Sequence, residues 1–314
     1  MPASHVKEIA ASLEGLAIGT PQVHRNLAFF PLFGPDAGPG AADYLLLDEA
    51  LERKLARVTE VSGAGSVPEL AFENTSAEKI LLVDGDELVG AKQNRIINLS
   101  ILVGGGMRIP IPVSCVEQGR WSYRTSEFGS AKRSLFAKAR AKKMGRVSES
   151  LRESGMRYSK QGEVWEDVAA KVMFSRAESP TGSMSDAYDS SREALDTYSH
   201  AFRAEPGQRG AVAAIDGKVV GLELFDSAAT FAKYLDKLVA SYAFDALETA
   251  GGKAGAASLK QVERFLGRMQ SAVAEKFAAL GEGEDIRLSG EGIAGGALSA
   301  GGRVIHLAGF EVPS

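Results

Sequence analysis

Apolar and polar positions alternate differently along three stretches of the chain. Over residues 1–128, short apolar runs bounded by turn residues recur: His24 to Phe33 (HRNLAFFPLF), Leu70 to Glu73, Ile80 to Val83, Arg95 to Val103 and Ile109 to Val116. That spacing predicts a sandwich or barrel-like sheet. One helical pattern interrupts it, with Leu47, Leu51 and Leu55 at four-residue spacing in LDEALERKLARV. From 129 to 205 the pattern is helical and polar: KRSLFAKARAKKMGRVSESLRESG, then QGEVWEDVAAKVMF with Val164, Val168 and Val172 as a narrow stripe, then MSDAYDSSREALDTYSHAF. Breaks fall near Gly155 and at Ser179-Pro180-Thr181-Gly182.

From 206 to 314, Asp216-Gly217 separates two apolar runs, the signal of a type I′ hairpin turn. Asp226 or Ser227 then caps a helix whose face is Phe231, Tyr234, Leu235, Leu238 and Tyr242. A second helix is expected through Leu259, Val262, Phe265, Leu266, Met269, Val273 and Phe277, followed by short glycine-broken strands. The predicted fold is α+β. It has a β-rich N-terminal sandwich or barrel-like sheet, a central helical segment and a C-terminal antiparallel α+β unit.

The stretch GAKQNRIINLSILVGGGMRIPIPVSCVEQGRW, residues 90 to 121, carries the densest chemistry. An antiparallel hairpin of 95–103 with 109–117 places Val103/Ile109, Ile101/Ile111, Leu99/Val113 and Ile97/Cys115 on one face, with Arg95/Glu117 next. A slip of two residues preserves that face, whereas a slip of one scatters it. Arg95 and Glu117 then form either a register-fixing ion pair or the rim of a ligand cleft. Lys92, Gln93, Asn94 and Arg95 reach this rim from one strand, and Glu117, Gln118, Arg120 and Trp121 from the other. Cations and amides suit phosphate or ribose oxygens, an indole suits a base or sugar face, and Glu117 or Glu87 is the candidate general base. Asp84 and Asp86 either hold Mg²⁺ through oxygen or form a turn. Cys115 shares the apolar face and reads as a buried thiol.

Composition narrows the picture further. The net charge of −4 is divided unevenly, because residues 120 to 160 hold 12 Lys and Arg against three Glu. That +9 segment makes a nucleic-acid contact one alternative, although it lacks interleaved aromatics. A single cysteine excludes an internal disulfide, and neither a signal-peptide pattern nor an apolar run of membrane-span length is present. A cytoplasmic location is expected, without membrane association. The four histidines are scattered, and no phosphate-loop, nucleophile-elbow or dinucleotide fingerprint occurs. A polar rim with Arg and Trp is also compatible with a homodimer interface.

At Gly90-Ala-Lys-Gln-Asn-Arg95 and Pro112-Val-Ser-Cys-Val-Glu-Gln-Gly-Arg-Trp121 the sequence resembles the ARG and rhodanese-phosphatase-superfamily-associated protein domain family, where ARG denotes ADP-ribosylglycohydrolase. The resemblance continues through SPTG and YLDKLVASYAFDAL. It implies a role near ADP-ribose or NAD-derived metabolites and supplies no reaction. The matching positions are Lys92, Gln93, Asn94, Arg95, Asn98, Ser114, Cys115, Glu117, Arg120 and Trp121. The expectation is a protein that binds, and in one version hydrolyses, an ADP-ribose-like nucleotide. The alternative is a non-catalytic module for ADP-ribose or ADP-ribosylated proteins.

Overall fold

The structure, a computed structural model, describes residues 7–34, 42–63, 65–249 and 256–312. It is a mixed α+β protein. The chain forms two compact units, one from Met1–Ala42, Asp196–Ala279 and Gly283–Ser314, the other from Asp43–Leu195 and Leu280–Glu282.

The first unit is built on a nine-stranded antiparallel sheet. Leu27–Phe33, Gln208–Ile215, Lys218–Phe225, Arg303–Glu311, Ile293–Ala300 and Glu284–Gly290 lie side by side in that order. The expected hairpin is present, since Asp216 and Gly217 both adopt positive φ, 51° and 72°, between its two strands. Even-numbered side chains of the first two strands, among them Phe30, Leu32 and Val212, pack with Ile9, Val262, Phe265 and Met269 of helices Lys7–Leu13 and Leu259–Ser271. On the opposite face Phe29 meets Tyr242 of helix Ala228–Ala246 edge to face, with centroids 5.6 Å apart. The helix Leu259–Ser271 is shorter than expected. Val273 and Phe277 belong to strand Val273–Ala278, because Ala272 turns to extended backbone (ψ 144°).

The second unit holds the 90–121 stretch. Its six-stranded sheet runs Phe128–Ser134, Asp86–Gly90, Arg95–Ile97, Arg108–Cys115, Glu69–Asn74, Ala56–Glu60. A three-stranded sheet runs Ile101–Val103, Lys79–Leu82, Tyr44–Leu46, its last pair parallel. Leu45, Ile80, Leu82, Ile101 and Val103 of the small sheet share one core with Val58, Phe72, Leu88, Ile97, Ile111 and Val113 of the large one. Two sheets with their apolar faces in a common core make a sandwich, here accompanied by helices Ala137–Ser154, Gln161–Phe174 and Met184–Ser190.

Three local expectations are corrected. The helix expected over 47–58 ends at Glu52, Lys54 takes φ 56°, and Ala56–Glu60 continues as a strand whose inward positions are Ala56, Val58 and Glu60. Residues 128–134, assigned in part to the helical middle, form an edge strand beside Asp86–Gly90.

The third correction concerns the hairpin. Only 95–97 pairs with 113–115, in the register Ile97↔Val113 and Arg95↔Cys115, whereas Ile101–Val103 leaves to pair with Lys79–Leu82. Proline explains the break. The Val113 N–H bonds Pro68 O and the Asn74 N–H bonds Met107 O, so odd positions of Arg108–Cys115 direct their main-chain groups toward Glu69–Asn74. Even positions face the expected partner, and there Pro110 and Pro112 have no N–H to offer. The register differs from the expected one by two residues, so the apolar face is retained while Arg95 faces Cys115 rather than Glu117.

Candidate functional site

The residues singled out in 90–95 and 117–121 meet at one end of the six-stranded sheet, whereas Asp84, Asp86 and Asn98 lie toward the other end of strands Asp86–Gly90 and Arg95–Ile97; the residues divide into a frame and two separate faces. The frame is centred on Arg120. Its Nη1 donates to Ala91 O (2.5 Å) and Ser122 O (3.0 Å), and its Nη2 to Gly90 O (3.2 Å), Asn94 Oδ1 (3.1 Å) and Glu117 Oε2 (2.6 Å). Glu117, fully buried, also accepts from the Asn94 N–H (3.1 Å) and from Thr181 Oγ1 (2.8 Å). Burial alone would raise the Glu117 pKa, but the hydrogen bonds from Arg120, Thr181 and the Asn94 N–H outweigh it and hold the carboxyl below its ordinary range. The 179–184 segment closes on this frame through Gly119 N–H to Thr181 O (2.8 Å) and Met184 N–H to Val116 O (2.9 Å). The GAKQNR, VEQGRW and SPTG segments therefore meet in space. Gln93 completes the frame, donating to Gln118 O and accepting from Arg95 Nη1 (3.0 Å).

One face of the sheet carries Arg95. Leu88, Arg95 and Cys115 are cross-strand partners, so their side chains share the face that runs into the sandwich core. Arg95 is fully buried, and its Nε and Nη2 have no hydrogen-bond partner. Burial lowers the Arg95 pKa from its ordinary value. Its guanidinium carbon lies 5.6 Å from the ring centroid of Trp121, which is 47% exposed. Lys92 Nζ is 5.1 Å from the rings of both Trp121 and Tyr123. Glu60, not anticipated from sequence, is 8% exposed; its Oε1 accepts the Lys92 N–H (3.4 Å) and its Oε2 has no partner. Gly65, at φ 79°, lies against this group: a Cβ there would stand 3.2 Å from Lys92 Cδ and 3.3 Å from both Glu60 Oε2 and Trp121 Cζ2. Cys115 sits beneath, its thiol pushed up to about 11 by burial, as expected of an unreactive core cysteine.

The other face carries Glu87, whose cross-strand partner is Ile96, itself opposite Ser114. Glu87 is fully buried; Ser185 Oγ donates to its Oε1 (2.8 Å), and Oε2 has no partner. Burial raises its pKa to about 7, against the opposing pull of the Ser185 hydrogen bond and Arg133. Asn98 lies one strand away, accepting from Ser114 Oγ (2.7 Å) and donating to Arg157 O (3.1 Å).

Asp84 is engaged by cations, with Lys143 Nζ on its Oδ1 and the Arg140 guanidinium 3.5 Å from its Oδ2. Asp86 Oδ2 accepts the Val83 N–H (3.4 Å), a bond within the turn between strands Lys79–Leu82 and Asp86–Gly90, whereas the Asp84 carboxylate reaches helix Ala137–Ser154. Among the described residues no group of three or more His, Cys, Asp or Glu side chains is placed to hold a metal ion. The basic segment is not a single exposed surface either. Arg120, Arg140 and Lys143 are buried, and Lys142 pairs with Asp167.

The fold and these blocks define an α+β protein with a framed polar cluster at the end of a sandwich sheet. The chain belongs to the ARG and Rhodanese-Phosphatase-superfamily-associated Protein domain family, which it matches over residues 15–310. Neither a curated protein nor a solved structure matches it. No helix among the described residues is long and apolar enough to cross a membrane.

Proposed function

We propose that the Asp43–Leu195 unit binds an ADP-ribose-like, NAD-derived nucleotide on the Arg95 face, beneath Trp121 and the turn at Gly65. The observation that carries this reading is Arg95. A guanidinium removed from water with two nitrogens unpartnered is costly, because buried polar groups are ordinarily paired. A ligand oxygen accepting from those groups would offset that cost. Lys92 suits the phosphates, Arg95 a ligand oxygen, and Trp121 with Tyr123 the base or sugar face, stacking being tolerant of base identity. The family name supports the ligand class, since ARG denotes an enzyme that removes ADP-ribose.

Arg120, Gln93, Asn94 and Glu117 act as the frame that fixes Lys92 and Arg95, their polar atoms being largely committed to one another. Recognition rather than hydrolysis is the better supported version. Glu117 has its oxygens taken, and Glu87, the carboxylate with an unpartnered oxygen and a pKa near 7, faces away from Arg95.

The test is thermal stabilisation by ADP-ribose, NAD, AMP, ribose 5-phosphate and inorganic phosphate, with and without Mg²⁺, at fixed salt. Ligand at 100 times its Kd adds about 2.7 kcal/mol. A shift with ADP-ribose that is lost in Lys92→Ala and Arg95→Ala supports the site, and no shift with any of these compounds refutes it.

A further inference from the structure

Glu60 and Arg95 are buried on the same side of the unit, each with polar atoms that nothing satisfies. Glu60 Oε2 has no partner, and neither do Arg95 Nε and Nη2. The two charges feel each other, the carboxylate opposing the fall in the Arg95 pKa that burial causes. Yet their hydrogen bonds go elsewhere: Arg95 Nη1 to Gln93 Oε1 and Asn94 O, Glu60 Oε1 to the Lys92 N–H. We propose that the ligand group held between Glu60 and Arg95 is a ribose cis-diol, which makes Glu60 the residue that selects a sugar-bearing ligand over a bare anion.

Given the nucleotide reading above, donors and acceptors decide the group. A group that satisfies both residues accepts from a guanidinium and donates to a carboxylate. A phosphate dianion fails the second requirement, because Glu60 repels it. A primary ammonium fails the first, because Arg95 repels it. A hydroxyl meets both, and two adjacent hydroxyls give the carboxylate one donor while offering lone pairs to the guanidinium. The indole of Trp121, 5.6 Å from the Arg95 guanidinium carbon, provides the flat apolar surface on which a sugar C–H face packs. The Lys92 main-chain N–H bonds Glu60 Oε1 while its Nζ lies 5.1 Å from the Trp121 ring, so the phosphate-binding residue and the diol-binding carboxylate are neighbours. Gly65 is the cover over Glu60 Oε2, and only a residue without a Cβ approaches it this closely without crowding.

The test is calorimetric titration of ADP-ribose and of inorganic pyrophosphate, which carries no sugar, into the unaltered protein and the Glu60→Gln variant. The variant is expected to bind ADP-ribose about tenfold more weakly or worse, the size of one charge-assisted hydrogen bond, while pyrophosphate binding does not fall. A second comparison needs no variant: AMP and its 2′,3′-dideoxy counterpart on the unaltered protein are expected to differ by a similar factor. Equal affinity in both comparisons overturns the diol assignment and leaves the nucleotide site standing. No binding of any nucleotide to the unaltered protein overturns both.

Discussion

Glu87 and Arg95 belong to neighbouring strands, yet they stand on opposite faces of the same sheet. The register Leu88↔Arg95 and Glu87↔Ile96 makes this unavoidable, since side chains one residue apart on a strand point to opposite sides. Polar residues crowded in sequence are thereby sorted into a guanidinium with two unpartnered nitrogens on one face and a carboxyl whose pKa burial raises to about 7 on the other.

Glu87 makes stability pH-dependent. Its folded pKa of about 7 exceeds the ordinary 4.5, so between those values the unfolded chain has released a proton that the native state keeps. Stability from this group is full below pH 4.5 and is lost as pH rises through 7. The loss amounts to roughly 3 kcal/mol at the upper end. Urea unfolding at pH 5 and pH 8 is expected to show this decline in the unaltered protein and to show it reduced in Glu87→Gln.

Arg120 behaves as a frame residue, so its removal is read in stability before it is read in binding. Arg120→Ala leaves Glu117 buried without its main counter-charge and strips donors from Ala91 O, Gly90 O and Ser122 O. A cost of about 3–5 kcal/mol is expected, measured as a lower urea midpoint. In the unaltered protein the depressed Glu117 pKa contributes stability above the unfolded value of about 4.5, lost as pH falls through the folded one.

Gly90 fixes the loop that presents Lys92 and Arg95. At φ 125°, a Cβ there would meet Thr125 Oγ1 at 2.5 Å and Glu127 O at 2.8 Å, and the second of these is main chain. Gly90→Ala is expected to destabilise by about 1–3 kcal/mol through strain and crowding, again in the urea midpoint.

The amphipathic patterns made the α+β class and the apolar face of the 90–121 stretch legible in the sequence. They did so because a two-residue slip leaves a strand's faces unchanged. The full pairing of 95–103 was not legible, because Pro110 and Pro112 act through hydrogen bonds they fail to make, a matter of which edge each residue faces. Glu60 was hidden for a related reason. The leucines at 47, 51 and 55 continue a helical spacing past the real helix end at Glu52, and this masks the start of the strand Ala56–Glu60 that turns Glu60 inward. Glu117, by contrast, drew notice as a candidate base, and only the geometry shows how many of its lone pairs are in use.

Arg95 links stability to function. A buried cation with unpartnered N–H groups burdens the fold, and replacing it by an apolar side chain of similar length removes that burden. Arg95→Met is expected to be at least as stable as the unaltered protein in urea. If Arg95 existed only to fix strand register, the same change would lower stability.

The most direct measurement is a calorimetric titration of ADP-ribose into the unaltered protein and into Arg95→Met, side by side at one salt concentration. Saturable binding to the first and none to the folded second is the predicted result. Equal binding to both, or binding to neither, would contradict the account.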